Sequence, residues 1–208
     1  MSSDKPLQGK RVAVLVESEY IADEVEVYRS RFPELGAEVH FMANLWGAPE
    51  KRMVCDIDSP DTPVRRIHTM LVDRDLSDAR ADDYDIVIQT ANYTSCRLRE
   101  IPPMGSLGSP EETRKAPAVQ FFADAMRNKR IVKGAMCHAL WILTPCPELL
   151  AGRRVICHTV VLADIHNAGA TFVADPGEVV VDDDLVTARS FANMEAYFEA
   201  IVQLASSR

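Results

Sequence analysis

Cys137 and His138 stand side by side in "IVKGAMCHALWIL" (131–143), where one apolar run ends and another begins. A thiol beside an imidazole can do nucleophilic chemistry, because the thiolate is the attacking species and a neighbouring base or positive dipole raises its fraction. Cys55, Cys96, Cys146 and Cys157 bring the total to five, an odd number with no C-x-x-C pair. Free thiols are therefore expected, not a zinc ribbon or a thioredoxin-type redox pair. Cys157 adjoins His158, which makes Cys137, His138, Cys157 and His158 a conceivable metal set. Adjacent side chains on a strand or turn diverge, so no metal is expected. Acids gather after the first apolar run, at Glu17, Glu19, Asp23 and Glu24. In a first helical turn carboxylates favour the dipole and stay solvated. One held in a partly dry pocket beside a sulfur would instead be pushed toward its protonated form.

A reactive Cys137 has to be presented. "RIVKGAM" (130–136) reads as the strand that delivers it, and a helix is expected from 138 to the stop at Pro145. Strand, nucleophile, helix is the geometry of a nucleophile elbow, which pushes the side chain out over the sheet's carboxyl edge. Free amides of the first helical turn would face a substrate, and the dipole would favour the thiolate. Gly134, Ala135 and Ala139 provide the small side chains such a turn tolerates. The competing reading is a buried cysteine at a strand end.

The remaining elements fit around that strand. "RVAVLV" (11–16) and "YDIVIQ" (84–89) are continuous apolar runs of the kind found in doubly covered parallel strands. Helical spacing of Tyr20, Val25, Tyr28, Phe32 and Leu35 leads to a stop at Gly36 and the strand "AEVHFM" (37–42), a βαβ opening. A short strand at 52–56 and a strand pair in "TPVRRIHTMLVD" (62–73) are expected next. Residues 100–117, with four prolines and two glycines, read as a loop or lid. A helix at 118–129, strands at 153–157 and 171–174, a hairpin turning at 182–184 and a helix at 193–205 complete the pattern. Strands alternating with helices indicate one α/β domain over residues 1–208 with a largely parallel sheet, behind a polar tail at 1–9.

Composition narrows the function classes. With 208 residues, 47% hydrophobic and 26% charged, the chain can bury one good core. A net charge of -8 without a basic stripe argues against nucleic acid as the main partner. No window approaches the roughly 18 apolar residues of a membrane span. The polar opening "MSSDKPLQGKR" has no apolar core like that of a secretory signal, so a cytoplasmic location is expected.

Several segments in order resemble the ThiJ/PfpI superfamily, relatives of class I glutamine amidotransferase domains. They are "KRVAVLVESEY", "DYDIVI", "KGAMCHALWIL", "LLAGRRVICH", "IHNAGATFV" and "VVVDDDLVTARSFANMEAYFEAIV". The resemblance implies a flavodoxin-like sandwich, a mostly parallel sheet with helices on both faces and an elbow carrying Cys137 as the nucleophile. It implies His138 as the neighbour of Cys137 and an acid after the first strand, for which Glu24 is favoured and Asp23 is next. It also implies a histidine near the nucleophile at His158, with Cys157 packed away from the site. Many members carry a Pro-Gly-Gly turn after the third strand, where this chain has "QTANYTS". The expected substrate or oxyanion pocket is then lined by Ala91 and Asn92, with Tyr93 and Arg97 nearby, and is bulkier and more polar. His40, His68 and His166 are read as structural.

The superfamily hosts proteases, deglycase or glyoxalase-like enzymes, hydratases, chaperones and redox sensors, so the fold does not select a reaction. The expected function is a cysteine-nucleophile enzyme acting on a small carbonyl or amide substrate, without a cofactor. The alternative is a non-catalytic thiol sensor or chaperone-like protein using the same cysteine. By resemblance the chain is expected to form a homodimer or higher homo-oligomer.

Overall fold

Runs of β-branched and leucine side chains settle as strands when both of their faces can be covered. In a computed structural model, which describes residues 5–57, 67–103, 105, 106 and 108–208, the first such run is β1 (Arg11–Leu15). It is followed by α1 (Ala22–Glu34), which ends before Gly36 at a φ of 94° that suits only glycine well. β2 (Glu38–Met42) then returns parallel to β1, with Arg11 opposite Glu38.

β3 (Lys51–Val54) and β4 (Thr69–Val72) form a separate antiparallel hairpin. Of the strand pair expected in 62–73, the described part is this one strand; residues 58–66 lie outside the described residues. Next come β5 (Ile86–Gln89), α2 (Thr94–Arg97), α3 (Pro110–Thr113), α4 (Pro117–Arg127) and β6 (Val132–Met136). The chain ends with β7 (Arg154–Val155), α5 (Thr159–Asn167), β8 (Thr171–Phe172), β9 (Val179–Asp182), β10 (Leu185–Ala188) and α6 (Met194–Ser206).

The main sheet has the order β2-β1-β5-β6-β10-β9, parallel except for β9. Its alternation divides the core into two layers. Val12, Val14, Ile86 and Ile88 face Tyr28 and Phe32 of α1 and Tyr197, Phe198 and Ile201 of α6. Ala13, Leu15 and Val87 face the α4 and α5 side, with Phe122 and Ile165. Burial of each such side chain contributes about 1.5–3 kcal/mol. Among the described residues no helix is long and apolar enough to cross a membrane.

Three expectations are corrected. The helix expected from 138 is a short 3-10 turn, Ala139–Leu143. Pro145 has no N–H to extend an α-helix, and the Thr144 amide closes back on the Trp141 carbonyl at 3.2 Å. The strand expected at 153–157 pairs over only two residues, with β8, because β9 already fills the open side of β10. Within 100–117, Pro110–Thr113 form α3 and Pro117 opens α4. Ser109 caps α3 in a reciprocal capping box with Glu112, and Pro110 sits at the first helical position.

Candidate functional site

Cys137 follows directly on β6 with a φ of 59°. That left-handed conformation costs a non-glycine residue about 1–3 kcal/mol and persists only where neighbours enforce it. Here its N–H donates to the Ala188 carbonyl at 2.9 Å, and its own carbonyl accepts from the His158 N–H at 3.2 Å. The turn is thus clamped between β10 and the start of α5. Because the 3-10 turn behind it is so short, the full α-helical dipole expected at the sulfur is replaced by the amides of a single short turn.

Glu24 lies in the first turn of α1 and is wholly buried. The Ala91 N–H reaches its two oxygens at 3.2 and 3.0 Å, and the Tyr28 hydroxyl donates to it at 2.9 Å. Burial raises the carboxyl from 4.5 to about 7 against the opposing pull of these two donors. Gln89 pairs with Ala135 at the ends of β5 and β6, and Ala91 and Cys137 each follow two residues later. Ala91 and Cys137 also share one buried cluster. The amide that holds the acid and the thiol thus both lie just past the carboxyl ends of β5 and β6.

The other acids of that segment are placed differently. Asp23 is exposed. Glu17 is buried and paired with Lys51. Glu19 pairs with Arg97.

The two histidines come together. His138 is buried, with its ring 5.2 Å from Tyr93, 5.1 Å from Trp141 and 4.9 Å from the perpendicular ring of His158. Its carbonyl accepts from the Ser95 hydroxyl at 3.1 Å. The Trp141 indole is held by Asp164 at 2.7 Å. His158 is the N-cap of α5, not a strand-end residue, and its Nδ1 accepts from the Val160 N–H at 3.3 Å. That bond assigns the proton of the neutral ring to Nε2. Cys157 is buried on the α4 and α5 side, where desolvation pushes its thiol up to about 12.

Of the expected oxyanion pocket, the Ala91 amide and the Asn92 side chain are already engaged. The single Ala91 N–H is taken by Glu24. Asn92, at a φ of 62°, spends its side-chain amide on the Glu19 carbonyl at 2.9 Å and Asp56 at 2.6 Å. It ties the β1, β3 and β5 loops together. Tyr28 and Trp141 were not singled out as site residues from sequence. The signal for Tyr28 is its place four residues after Glu24, on one helix face.

A doubly wound sandwich with core order 2-1-3-4-5 and a left-handed cysteine elbow at its carboxyl edge defines a class, the flavodoxin-like proteins with an elbow thiol. The DJ-1/PfpI family model matches residues 103–204, a span that holds the elbow, His158 and α6. An uncharacterized protein of Staphylococcus haemolyticus is 24% identical over 194 residues, 93% of this chain and 96% of its own. Drosophila melanogaster DJ-1beta superposes with a TM-score of 0.70 at 18% identity, over 95% of this chain and 91% of that one. A two-domain Anabaena variabilis protein with DJ-1/ThiJ/PfpI-like and ferritin-like domains gives 0.74 at 21%, over 93% of this chain and 47% of that one. At these identities the likeness to solved structures is one of fold. Over residues 103–204 the chain is thus similar to the DJ-1/PfpI family, and its fold as a whole is like that of the DJ-1, ThiJ and PfpI-like structures.

Proposed function

We propose that this chain is an enzyme whose Cys137 thiolate attacks the carbonyl carbon of a small carbonyl or amide compound. The observation that carries this reading is the juxtaposition at the β5 and β6 edge. There a cysteine in a left-handed turn shares one buried cluster with Ala91, whose amide holds a wholly buried carboxyl. With burial raising it to about 7, Glu24 is substantially protonated near neutral pH. In that form it can donate a hydrogen bond to sulfur and favour the thiolate.

On an aldehyde or ketone, sulfur forms a C–S bond while the C=O π pair moves to oxygen. That oxygen then takes up a proton, giving a hemithioacetal. On an amide, the tetrahedral adduct expels the protonated amine and leaves an acyl-enzyme for water to hydrolyse. The Nε2–H of His158 is the donor suited to the developing oxyanion, and His138 is the other candidate proton carrier. The test is turnover of methylglyoxal, a glycated amine and a peptide amide by the wild type and by Cys137→Ser. Turnover of one of them that disappears in the serine variant supports the reading; turnover that survives it at the wild-type rate overturns it.

Cys137 is only 7% exposed, and this favours a second reading. A small oxidant such as a peroxide could convert the thiolate to a sulfenic acid with no larger substrate involved. No turnover of the three compounds, together with reversible addition of one oxygen to Cys137, selects that reading.

A further inference from the structure

The two oxygens of Glu24 are not equivalent. Oε1 accepts the Tyr28 hydroxyl at 2.9 Å as well as the Ala91 N–H at 3.2 Å, whereas Oε2 accepts the Ala91 N–H at 3.0 Å and nothing from Tyr28. Tyr28 is wholly buried, and behind it stands Tyr197 of α6, wholly buried too. The Tyr197 hydroxyl lies against Tyr28 and makes no hydrogen bond of regular geometry among the described residues. It reaches this position because residue 134 is glycine, where a Cβ would stand 2.4 Å from the hydroxyl oxygen. Helices α1 and α6 and strand β6 thus close a dry pocket around the Tyr28 hydroxyl. From that side Tyr28 donates to the carboxyl.

We propose that Tyr28 is a positioning residue for the site acid. Its O–H reserves Oε1 as an acceptor, so the carboxyl proton resides on Oε2, beside Ala91, which shares its buried cluster with Cys137. The consequence for the sulfur rests on the reading that Cys137 is the reactive thiol; the consequence for Glu24 does not. An oxygen that already receives a phenol hydrogen is a poor place for a second one, which leaves Oε2 to carry the acid proton. Once the carboxyl ionises, the same phenol stabilises the anion, so Tyr28 also limits how far burial weakens the acid. The titratable groups facing this region are Tyr28 from α1, Tyr197 from α6 and Cys137 at the β6 elbow. Burial holds both phenols well above their ordinary value, so they stay neutral while Glu24 titrates.

The experiment is a 13C NMR titration of glutamate-labelled protein, with the Glu24 signal identified by its loss in Glu24→Gln. Tyr28→Phe keeps the ring and removes only the hydroxyl. It should raise the Glu24 midpoint by about one pH unit or more, the effect of losing a donor to a charged acceptor. Tyr197→Phe should leave the midpoint at its wild-type value. Site-specific 3-fluorotyrosine at position 28, a stronger donor, should lower it, and this arm stands even if Tyr28→Phe does not fold. A midpoint unmoved by either change at Tyr28, or raised equally by Tyr28→Phe and Tyr197→Phe, overturns the proposal. Cys137 alkylation against pH in the same variants reads the link to sulfur. An inflection that follows the Glu24 midpoint supports that link. An NMR shift without an alkylation shift overturns the link and leaves the hold of Tyr28 on the acid supported.

Discussion

Glu24→Gln tests the burial of the acid without relying on any activity. Glutamine has nearly the same shape, can still accept from Ala91 and Tyr28, and stays neutral at every pH used. In the wild type, Glu24 has an ordinary value of 4.5 when unfolded and about 7 when folded. Between these values the folded protein holds a proton that the unfolded chain has released, so wild-type stability falls as pH rises through this window. The loss has a slope of about 1.4 kcal/mol per pH unit and totals about 3 kcal/mol, complete by about pH 8. The glutamine variant lacks this loss. Urea unfolding at pH 5, 6, 7 and 8 should show the variant gaining on the wild type with rising pH. About 2.5 kcal/mol of that loss falls between pH 5 and 8, so with a slope of about 2 kcal/mol per molar urea the two midpoints should separate by about 1.2 M across that range. Running the pair again in a Cys137→Ser background keeps the thiol's own titration out of the difference. A difference that stays flat with pH, or that moves the other way, would refute the inference that Glu24 is a desolvated, late-ionising acid.

Limited iodoacetamide labelling near neutral pH should modify Cys137 first, although Cys96 is the more exposed thiol. Burial raises Cys96, Cys146 and Cys157, so these are chiefly unreactive thiols, and peptide mapping that finds Cys96 labelled first would count against the elbow chemistry. Gly134→Ala should destabilise the fold by about 1–3 kcal/mol, because the new Cβ meets the Tyr197 hydroxyl at 2.4 Å and the Ile201 Cδ1 at 2.9 Å. Adding Tyr197→Phe should recover part of that loss. Thermal or urea unfolding that leaves Gly134→Ala as stable as the wild type would mean the helix shifts freely, contrary to this packing.

Much of the architecture was legible from residue types alone. Continuous apolar runs at 11–16, 84–89 and 130–136 can be buried only as strands covered on both faces, and those strands became β1, β5 and β6. The turn at Asp183 and the stop at Gly36 were likewise local matters of charge and φ. The capping box at Ser109 was local too, and attention to its S-x-x-E spacing would have located α3.

What depended on distant parts of the chain could not be read that way. Gly134 looked like a small residue easing the elbow, yet its missing Cβ makes room for Tyr197, 63 positions away in α6. Ala91 looked available to a substrate oxygen, but its N–H is taken by Glu24, and the side-chain amide of Asn92 is taken by Glu19 and Asp56. A backbone amide has one hydrogen to give, and only the folded arrangement decides which acceptor arrives first. His158 ended a strand-like run, but the edge of β10 beyond it was already filled by β9, so the residue became a helix cap. Among the four acids after β1, all share a side chain that favours a first helical turn. Tertiary packing alone turned Glu24 inward against Ala91 and Tyr28 while Asp23 stayed in water, because adjacent positions on a helix point about 100° apart.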